Sequence, residues 1–201
     1  MFVDELGNEI DGDVVEAVCA IDLKERNELP GNTVVSTVMC NLGFTKAMKD
    51  ADIDVIQTQV GDRYVLQQLR EGGFVLGGEQ SGHMIFLKYN STGDGLVTAC
   101  QFVSACLRKG GTVSEVASVM QRFPQELINV KVTDKHAVTD NSTVAQAIEA
   151  GNGELGDSGR ILVRPSGTEP LVRVMVEAPT HEQAHEVAAK IAQVIEAELG
   201  A

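Results

Sequence analysis

Basic residues are scarce in this sequence: 16 Lys and Arg stand against 29 Asp and Glu, which gives the 201 residues a net charge of −13. A protein that binds duplex nucleic acid needs a basic face to neutralise phosphates, so this balance argues against a nucleic-acid partner. Anionic membrane surfaces are disfavoured for the same reason. If the chain binds an anion, it must do so with locally placed donors that act against an unfavourable overall field.

Long apolar runs, a secretory signal and closely spaced cysteines are also missing. No run approaches the roughly 18 apolar residues that a membrane-spanning helix needs, and residues 1–13 are acidic and lack the apolar region of a signal peptide. The cysteines show no CxxC spacing, which argues against a disulfide framework or a zinc site; they are Cys19, Cys40, Cys100 and Cys106. These absences predict a cytoplasmic protein with reduced, mostly buried thiols and no membrane partner.

The composition is that of a globular protein, with 43% hydrophobic and 22% charged residues. A weakly alternating segment at 1–10 suggests a strand or hairpin. Strand-like and helix-like segments then alternate through residue 110, which predicts a layered α/β domain with a mainly parallel sheet. In this part the predicted strands lie in 33–40 and 53–60, with two more in 74–89, and the predicted helices lie in 11–26, 41–52, 63–73 and 93–109.

The remainder of the chain predicts a smaller α+β domain, a sheet with helices on one face. It begins with a strand in 126–132 and a helix in 141–155. Two strands joined by a loop follow in 159–178, and a last helix lies in 180–199. We therefore divide the chain into residues 1–110 and residues 111–201. The second part begins with a short connecting helix that Phe123-Pro124 interrupts.

Three helices carry specific expectations. Asp13 is a plausible N-cap for the helix in 11–26. Thr180 and Gln183 form a capping-box pattern at the start of the last helix. The helix in 93–109 has a stripe of apolar residues at helical spacing, which predicts its core-facing side: Leu96, Ala99, Cys100, Val103 and Leu107.

The segment "LVRPSGTEPLVRVMVEA" (162–178) has an inventory that a hairpin turn does not require. Arg164 ends one strand and Arg173 lies in the next, and two close guanidiniums repel unless an anion sits between them. Ser166, Gly167 and Thr168 add hydroxyl donors and a backbone that can form an anion-binding nest. The segment therefore predicts a phosphate site. The alternative is a surface hairpin in which Arg173 pairs with Glu169 or Glu177.

A second loop, "GGEQSGHM" (77–84), places Glu79, Ser81 and His83 between turn-forming glycines. A carboxylate, a hydroxyl and an imidazole suit the hydroxyl groups of a sugar. The alternative is a glycine-rich hairpin with incidental polar residues.

The stretch "VGDRYV" (60–65) follows a predicted strand and opens a helix, where α/β sheets bind ligands. Asp62 and Arg63 are candidates to line the same site, although Asp62 equally suits a helix cap. The acidic turn "IDGDV" (10–14) and the pair His181 and His185 look like metal ligands. Neither has a third ligand at suitable spacing, so we predict no metal site in this chain.

Together "GGEQSGH", "VGDRYV" and "RPSGTEPLVRVMVEA" resemble the α-D-phosphohexomutases in order and spacing. The last motif is most similar to that of the bacterial members that act on glucosamine phosphates. The resemblance covers essentially the whole chain and implies the third and fourth of the family's four domains. It further implies that Glu79, Ser81 and His83 contact the sugar, and that Arg164, Ser166, Gly167 and Thr168, helped by Arg173, hold the phosphate that is not transferred.

The resemblance implies a cytoplasmic isomerase of cell-wall precursor biosynthesis that interconverts glucosamine 6-phosphate and glucosamine 1-phosphate. In the family a phosphoserine donates its phosphoryl group, a bisphosphate intermediate forms, and magnesium assists the transfer. The serine loop and the aspartate-rich metal loop have no counterpart in these 201 residues. We therefore predict an inactive C-terminal half, with no catalytic residue and no magnesium ligand of its own.

That half would depend on domains one and two as its partners, and homodimerisation stays open. Two alternatives remain at this point. One is a fragment of a phosphomannomutase or phosphoglucomutase, and the other is a stand-alone phosphosugar-binding module without catalytic activity.

Overall fold

The structure is a computed structural model that describes residues 2–201. The chain forms two compact units that divide after Arg122. Met1 lies outside the described residues, so the predicted hairpin is described from Phe2 onward. Within residues 2–201, no helix combines the length and the apolar character needed to cross a bilayer.

The first unit alternates strands and helices as predicted. Its strands are β1 (Phe2–Val3), β2 (Glu9–Ile10), β3 (Thr33–Thr37), β4 (Asp54–Thr58), β5 (Leu76–Gly78) and β6 (Met84–Phe86). Its helices are α1 (Gly12–Glu25), α2 (Leu42–Asp50), α3 (Asp62–Gly72), α4 (Gly95–Lys109) and α5 (Val113–Ala117). β1 and β2 pair as an antiparallel hairpin.

The main sheet of this unit has the strand order β4-β3-β5-β6. β3 is parallel to β4 and to β5, and only β6 runs antiparallel to its neighbour. The layered α/β domain with a mainly parallel sheet is thus confirmed. β3 is buried along its whole length, as a central strand covered on both faces should be.

The start of α1 differs from the expectation. The N-cap is Asp11, whose Oδ1 accepts a hydrogen bond from the N–H of Val14 at 3.1 Å. Asp13 lies in the first turn, fully buried, and its Oδ2 accepts from the backbone N–H of Asn41 at 2.7 Å. The sequence offers two aspartates at suitable positions, and the contact with the distant residue Asn41 decides which one caps the helix.

The apolar stripe predicted for the core side of α4 faces outward instead. Leu96 is 81% exposed and Leu107 is 78% exposed, whereas Phe102 and Ala105 are buried in the main core cluster. Phe102 packs against Phe2, with ring centroids 4.6 Å apart. The prediction was wrong because α4 has apolar residues around most of its circumference, so spacing alone does not select the buried face.

The second unit contains β7 (Gln125–Lys131), α6 (Ser142–Leu155), β8 (Arg160–Pro165), β9 (Leu171–Glu177) and α7 (His181–Leu199). Its strands form an antiparallel sheet in the order β7-β9-β8. Valines of β7 and β9 share one core cluster with residues of α6 and α7, such as Val144 and Ile191. The predicted smaller α+β domain is confirmed. Thr180 caps α7 by accepting from the N–H of Gln183 at 3.2 Å.

Residues 111–122, predicted as a connecting helix before the interruption at Phe123-Pro124, pack with the first unit. Thr112 and Glu115 form a capping box that starts α5, and Val116 and Met120 are buried in the same cluster as Val18. Two exposed glycines, Gly110 and Gly111, end the preceding helix and resemble a linker in sequence. The burial of the residues beyond them keeps this segment on the first unit.

Candidate functional site

The "GGEQSGHM" loop forms a tight turn between β5 and β6. The N–H of Glu79 donates to the carbonyl of His83 at 3.1 Å, and the N–H of Gly82 donates to the carbonyl of Glu79 at 2.8 Å. Gly82 has φ +94, in the left-handed region that favours glycine. The turn leaves Ser81 exposed at its tip, and among residues 2–201 its hydroxyl makes no hydrogen bond.

The loop after β4 joins this turn at the carboxyl end of the sheet. The backbone N–H of Gly61 donates to Oε1 of Glu79 at 3.1 Å. Oδ2 of Asp62 lies 3.5 Å from Nε2 of His83. Gly61 occupies the N-cap position of α3, so Asp62 does not cap that helix and faces the histidine instead. The structure therefore brings four of the five sugar-side candidates into one cluster: Glu79, Ser81, His83 and Asp62.

Arg63, the fifth candidate, is exposed and turned toward its neighbour. Its guanidinium carbon lies 4.5 Å from the centroid of the Tyr64 ring, and the Tyr64 hydroxyl accepts a hydrogen bond from it. Arg63 therefore stands at the rim of the cluster in a cation–π contact and makes no carboxylate pair within the described residues.

Sequence reasoning missed the support beneath the turn, which comes from the start of α1. The N–H of Gly12 donates to the carbonyl of Gln80 at 3.0 Å. A Cβ on Gly12 would lie 2.2 Å from the carbonyl oxygen of Glu79 and 2.6 Å from the nitrogen of Gly82. Only glycine permits this approach of two backbones. The sequence signal was the glycine in "DGDV", which looked like part of a helix cap.

Glu16 of α1 is fully buried below β5. Among residues 2–201 neither carboxylate oxygen has a hydrogen-bond partner, and the hydroxyl of Ser36 bonds to the carbonyl of Gly78 at 3.3 Å. Burial, reinforced by the nearby charge of Asp13, raises the pKa of Glu16 well above its ordinary value, although the proximity of Ser36 partly opposes this shift. A buried acid that favours its neutral form thus lies beneath the β5–β6 turn.

A cavity of about 310 Å³ lies beside this turn in the first unit. Gln80, Ser81 and Gly82 border it, together with the ion pair between Asp11 and Arg122, whose atoms are 3.5 Å apart. Glu79, His83 and Asp62 do not line it. The polar cluster is therefore an open surface at the sheet edge, and the cavity is a separate recess next to it.

In the second unit, strand register places Arg164 of β8 directly opposite Arg173 of β9. Asn129 of β7 is the next residue in the same row. Side chains of directly opposed residues stand about 4.5–5.5 Å apart at their Cβ atoms, so the two guanidiniums share one side of the sheet. Burial, followed by the charge of Arg173, lowers the pKa of Arg164. Two like charges are thus held together at one end of this hairpin.

The alternative considered for this hairpin is present in part. Nη2 of Arg173 lies 3.4 Å from Oε2 of Glu169, whose side chain is more than half exposed. Such a pair contributes little, and Nε of Arg173 stays buried without a hydrogen-bond partner in the described chain. Glu177 pairs with Arg160 at 3.1 Å instead. This weak ion pair therefore leaves Nε of Arg173 without a partner among residues 2–201.

The loop between β8 and β9 leaves two backbone donors unused. Ser166 is almost fully buried, its N–H donates to the carbonyl of Leu171 at 2.9 Å, and its hydroxyl accepts from the N–H of Glu169 at 3.4 Å. The N–H groups of Gly167 and Thr168 make no hydrogen bond to any residue in 2–201. A Cβ on Gly167 would meet no atom within 4 Å, so the glycine faces open space.

Sequence reasoning did not single out Lys135, which contacts the β8–β9 loop in the second unit. It lies on a 3₁₀ helix, Lys135–Thr139, and its ammonium donates to the carbonyls of Ser166 and Gly167 in the β8–β9 loop. The two sites are 31 residues apart in sequence. In the sequence, Lys135 appears only as part of the dipeptide "DK" after β7. A single lysine after a strand does not indicate a binding role.

The chain was compared with known proteins. Residues 11–123 match the family model "Phosphoglucomutase/phosphomannomutase, alpha/beta/alpha domain III". Residues 127–194 match "Phosphoglucomutase/phosphomannomutase, C-terminal domain". The chain belongs to the phosphoglucomutase/phosphomannomutase family. The resemblance drawn from the three motifs is confirmed, as is the assignment to the third and C-terminal domains of the family.

Relatives in this family include phosphoglucosamine mutases of bacteria. The enzyme of Bacillus licheniformis is 56% identical over 199 residues, which are 99% of this chain and 44% of the relative. That of Listeria monocytogenes is 50% identical over 197 residues, which are 98% of this chain and 44% of the relative. The chain therefore spans less than half the length of these curated relatives.

Two solved structures share the fold of this chain. The N-acetylphosphoglucosamine mutase of Aspergillus fumigatus, in complex with GlcNAc-6P and magnesium, superposes with a TM-score of 0.77 at 21% identity, over 96% of this chain and 49% of that one. A variant of that enzyme bound to glucose 1,6-bisphosphate gives a TM-score of 0.79 at 20% identity, over 100% of this chain and 46% of that one.

Proposed function

We propose that this chain carries the substrate-recognition surfaces of a phosphoglucosamine mutase, an isomerase that interconverts glucosamine 6-phosphate and glucosamine 1-phosphate through a phosphoserine and a bisphosphate intermediate. In this proposal the first unit recognises sugar hydroxyls with Glu79, Ser81 and His83, with Asp62 and Arg63 at the rim. The second unit recognises phosphate with residues of the β8–β9 hairpin: Arg164, Ser166, Gly167, Thr168 and Arg173. The identity to bacterial phosphoglucosamine mutases supports the choice of substrate.

The observation that carries the proposal is the row of donors at the open end of the β8–β9 hairpin. Arg164 and Arg173 are cross-strand partners, and the N–H groups of Gly167 and Thr168 are unused among residues 2–201. Paired guanidiniums bind phosphate oxygens bidentately, and successive backbone N–H groups form anion-binding nests. A dianion would therefore satisfy the two backbone N–H groups that have no acceptor among residues 2–201.

The sugar side is suited to neutral hydroxyls. One oxygen of Glu79 accepts the N–H of Gly61, and the other makes no hydrogen bond within the described residues. A carboxylate oxygen fixed in this way accepts from a sugar hydroxyl at little further cost in side-chain entropy. The exposed hydroxyl of Ser81 both donates and accepts, which suits a ring that binds in two orientations.

The proposal assigns no magnesium ligand to this chain. Among residues 2–201, no group of three or more His, Cys, Asp or Glu side chains is arranged to hold a metal ion. We expect phosphoryl transfer only where a phosphoserine and a metal loop are also present. The chain by itself would bind phosphosugar weakly and turn over none.

Calorimetric titration of the 201-residue chain with glucosamine 6-phosphate, inorganic phosphate and glucosamine tests the proposal. Arg164→Ala should weaken binding of both phosphate ligands by about 2–3 kcal/mol, on the order of 30- to 150-fold, because hydrogen bonds to a charged group are lost. Glu79→Gln should weaken only the sugar phosphate, by about tenfold, because inorganic phosphate does not need the sugar-side loop.

Arg70→Ala is the matched control, since Arg70 is exposed near the end of α3 and belongs to neither loop. Binding by Arg164→Ala at the level of this control would contradict the proposal, and so would mutase turnover by the pure chain. A preference for mannose or glucose phosphates in the same titration would assign the chain to a phosphomannomutase or phosphoglucomutase instead.

A further inference from the structure

Lys135 binds the two peptide groups at the centre of the β8–β9 loop. Its Nζ donates to the carbonyl oxygen of Ser166 at 2.7 Å and to that of Gly167 at 3.2 Å. The carbonyl of Ser166 and the N–H of Gly167 belong to one peptide group, and the carbonyl of Gly167 and the N–H of Thr168 belong to the next. The lysine therefore holds the two peptides whose N–H groups are unused.

Planar trans peptides point their carbonyl and N–H in opposite directions. Because both carbonyls turn toward one ammonium group, both N–H groups turn away from it. Two successive N–H groups that point to a common side form a nest for an anion. The other backbone donors around this point are already used, by Ser166 toward Leu171 and by Glu169 toward the Ser166 hydroxyl.

The charge of Lys135 is not neutralised locally. Within residues 2–201 no carboxylate lies within 4.0 Å of its Nζ, in contrast to Lys190, which pairs with Glu154 at 2.9 Å. The neighbouring Asp134 uses its side chain to accept from the N–H of His136 at 2.9 Å. A lysine that donates to the carbonyls of Ser166 and Gly167 adds positive potential to this loop, where the anion is proposed to bind.

We propose that Lys135 is a positioning residue that fixes the Ser166–Gly167 and Gly167–Thr168 peptides so that their N–H groups bind the phosphate oxygens. This inference rests on the proposed function, because it presupposes that the loop binds phosphate. Lys135 itself stays on the carbonyl side of the loop and does not touch the ligand. Its removal frees both peptides to rotate and turns the nest into an ordinary flexible loop.

The test uses the ¹⁵N-labelled chain, titrated with inorganic phosphate and followed by the amide resonances of Gly167 and Thr168. In the unmodified chain both resonances should move strongly as phosphate binds. In Lys135→Met, which keeps the aliphatic stem, phosphate affinity should fall about tenfold and the two amides should shift much less. Lys190→Met removes one positive charge from the same unit and should behave like the unmodified chain.

Lys135→Arg separates positioning from charge. It keeps the positive charge but cannot place one compact ammonium between two carbonyls, so it should restore only part of the affinity. Thermal unfolding of each variant checks that its fold is intact. The phosphate-induced amide shifts of the unmodified chain test the nest even if a variant does not fold.

The outcomes distinguish this inference from the proposed function. If the unmodified chain binds phosphate while the amides of Gly167 and Thr168 do not move, the role of Lys135 is overturned and the phosphate site stands. Equal affinity of Lys135→Met and Lys190→Met would overturn it as well. If the unmodified chain binds neither phosphate nor glucosamine 6-phosphate, the proposed function fails and this inference fails with it.

Discussion

The β5–β6 loop of the first unit and the β8–β9 loop of the second both join antiparallel strands, but they hold their polar groups differently. In the first, Glu79 accepts the N–H of Gly61 and His83 faces Asp62. In the second, Gly167 and Thr168 keep unused N–H groups within the described chain, and Arg164 stands opposite Arg173. The polar side chains of the first loop bond to neighbouring residues, whereas the second loop presents two backbone N–H groups that have no acceptor within residues 2–201.

This difference matches the chemistry of the two proposed ligands. A sugar hydroxyl both donates and accepts, so it needs acceptors and donors fixed in direction, which internal hydrogen bonds provide. A phosphate dianion only accepts, so it needs many donors and no competing acceptor. The comparison teaches that a loop suited to an anion is recognised by backbone donors that lack acceptors. A loop suited to hydroxyls is recognised by polar side chains that internal hydrogen bonds already fix in direction.

The largest expected effect on this comparison comes from Gly12→Ala. Its Cβ would lie 2.2 Å from the carbonyl oxygen of Glu79, so either α1 or the sugar-side turn must shift. We expect a loss of about 1–3 kcal/mol in the free energy of unfolding, as for overpacking elsewhere, and weaker binding of glucosamine 6-phosphate. Inorganic phosphate should bind as before, because the second unit is unchanged.

Tyrosine fluorescence during urea unfolding measures the stability effect in the first unit alone. The chain has two tyrosines and no tryptophan, and both tyrosines, Tyr64 and Tyr89, lie in that unit. Gly153→Ala in α6 is the control, because a Cβ there meets nothing within 4 Å and the change lies in the second unit, so this signal should not change. An unfolding midpoint for Gly12→Ala equal to that of the unmodified chain would show that the turn does not rest on this glycine.

Glu16→Gln tests the buried acid under the same turn through pH dependence. The pKa of Glu16 is raised in the folded state, mainly by burial. The folded chain therefore retains a proton that the unfolded chain releases above about pH 4.5, and this group lowers stability as pH rises from there toward its folded pKa. Glu16→Gln should remove that loss, so its advantage over the unmodified chain should be larger at pH 8 than at pH 5.

Urea unfolding followed by the same tyrosine signal at pH 5 and pH 8 measures the difference in stability between Glu16→Gln and the unmodified chain. No such dependence is expected for Glu25→Gln, a change at an exposed residue near the end of the same helix. If Glu16→Gln and the unmodified chain lose equal stability between pH 5 and pH 8, then Glu16 titrates alike in both states.

The smallest expected effect is that of Glu169→Gln on the phosphate side. Glu169 pairs weakly with Arg173 at 3.4 Å and places a negative charge beside the proposed anion site. Exposed pairs of this kind are worth about 0.2–1 kcal/mol, so phosphate affinity measured by calorimetry should rise by up to about fivefold. Glu154→Gln, which breaks the exposed pair with Lys190, should leave it unchanged. A fall in affinity for Glu169→Gln would instead make Glu169 a support for Arg173.

Much of the fold followed from local patterns. β-branched runs predicted β3 and β4, helical spacing predicted α1 and α7, and the glycines after α3 and α4 marked where those helices end. Such signals depend on residues within a few positions of one another, so they are visible in a linear sequence. The buried side of α4 was not predictable in this way, because apolar residues lie on two sides of the helix. Contact with Phe2 and α1 determines which side is buried.

The sequence by itself determined the order of the elements, the family, and the residue types in both loops, since each of these is written in short contiguous motifs. The tertiary structure decided how those residues are used. Register set Arg164 opposite Arg173, backbone packing required Gly12 beneath the sugar-side turn, and Lys135 reached the Ser166 and Gly167 carbonyls from 31 residues away. These contacts join distant segments, and no local pattern encodes which distant partners the packed chain brings together.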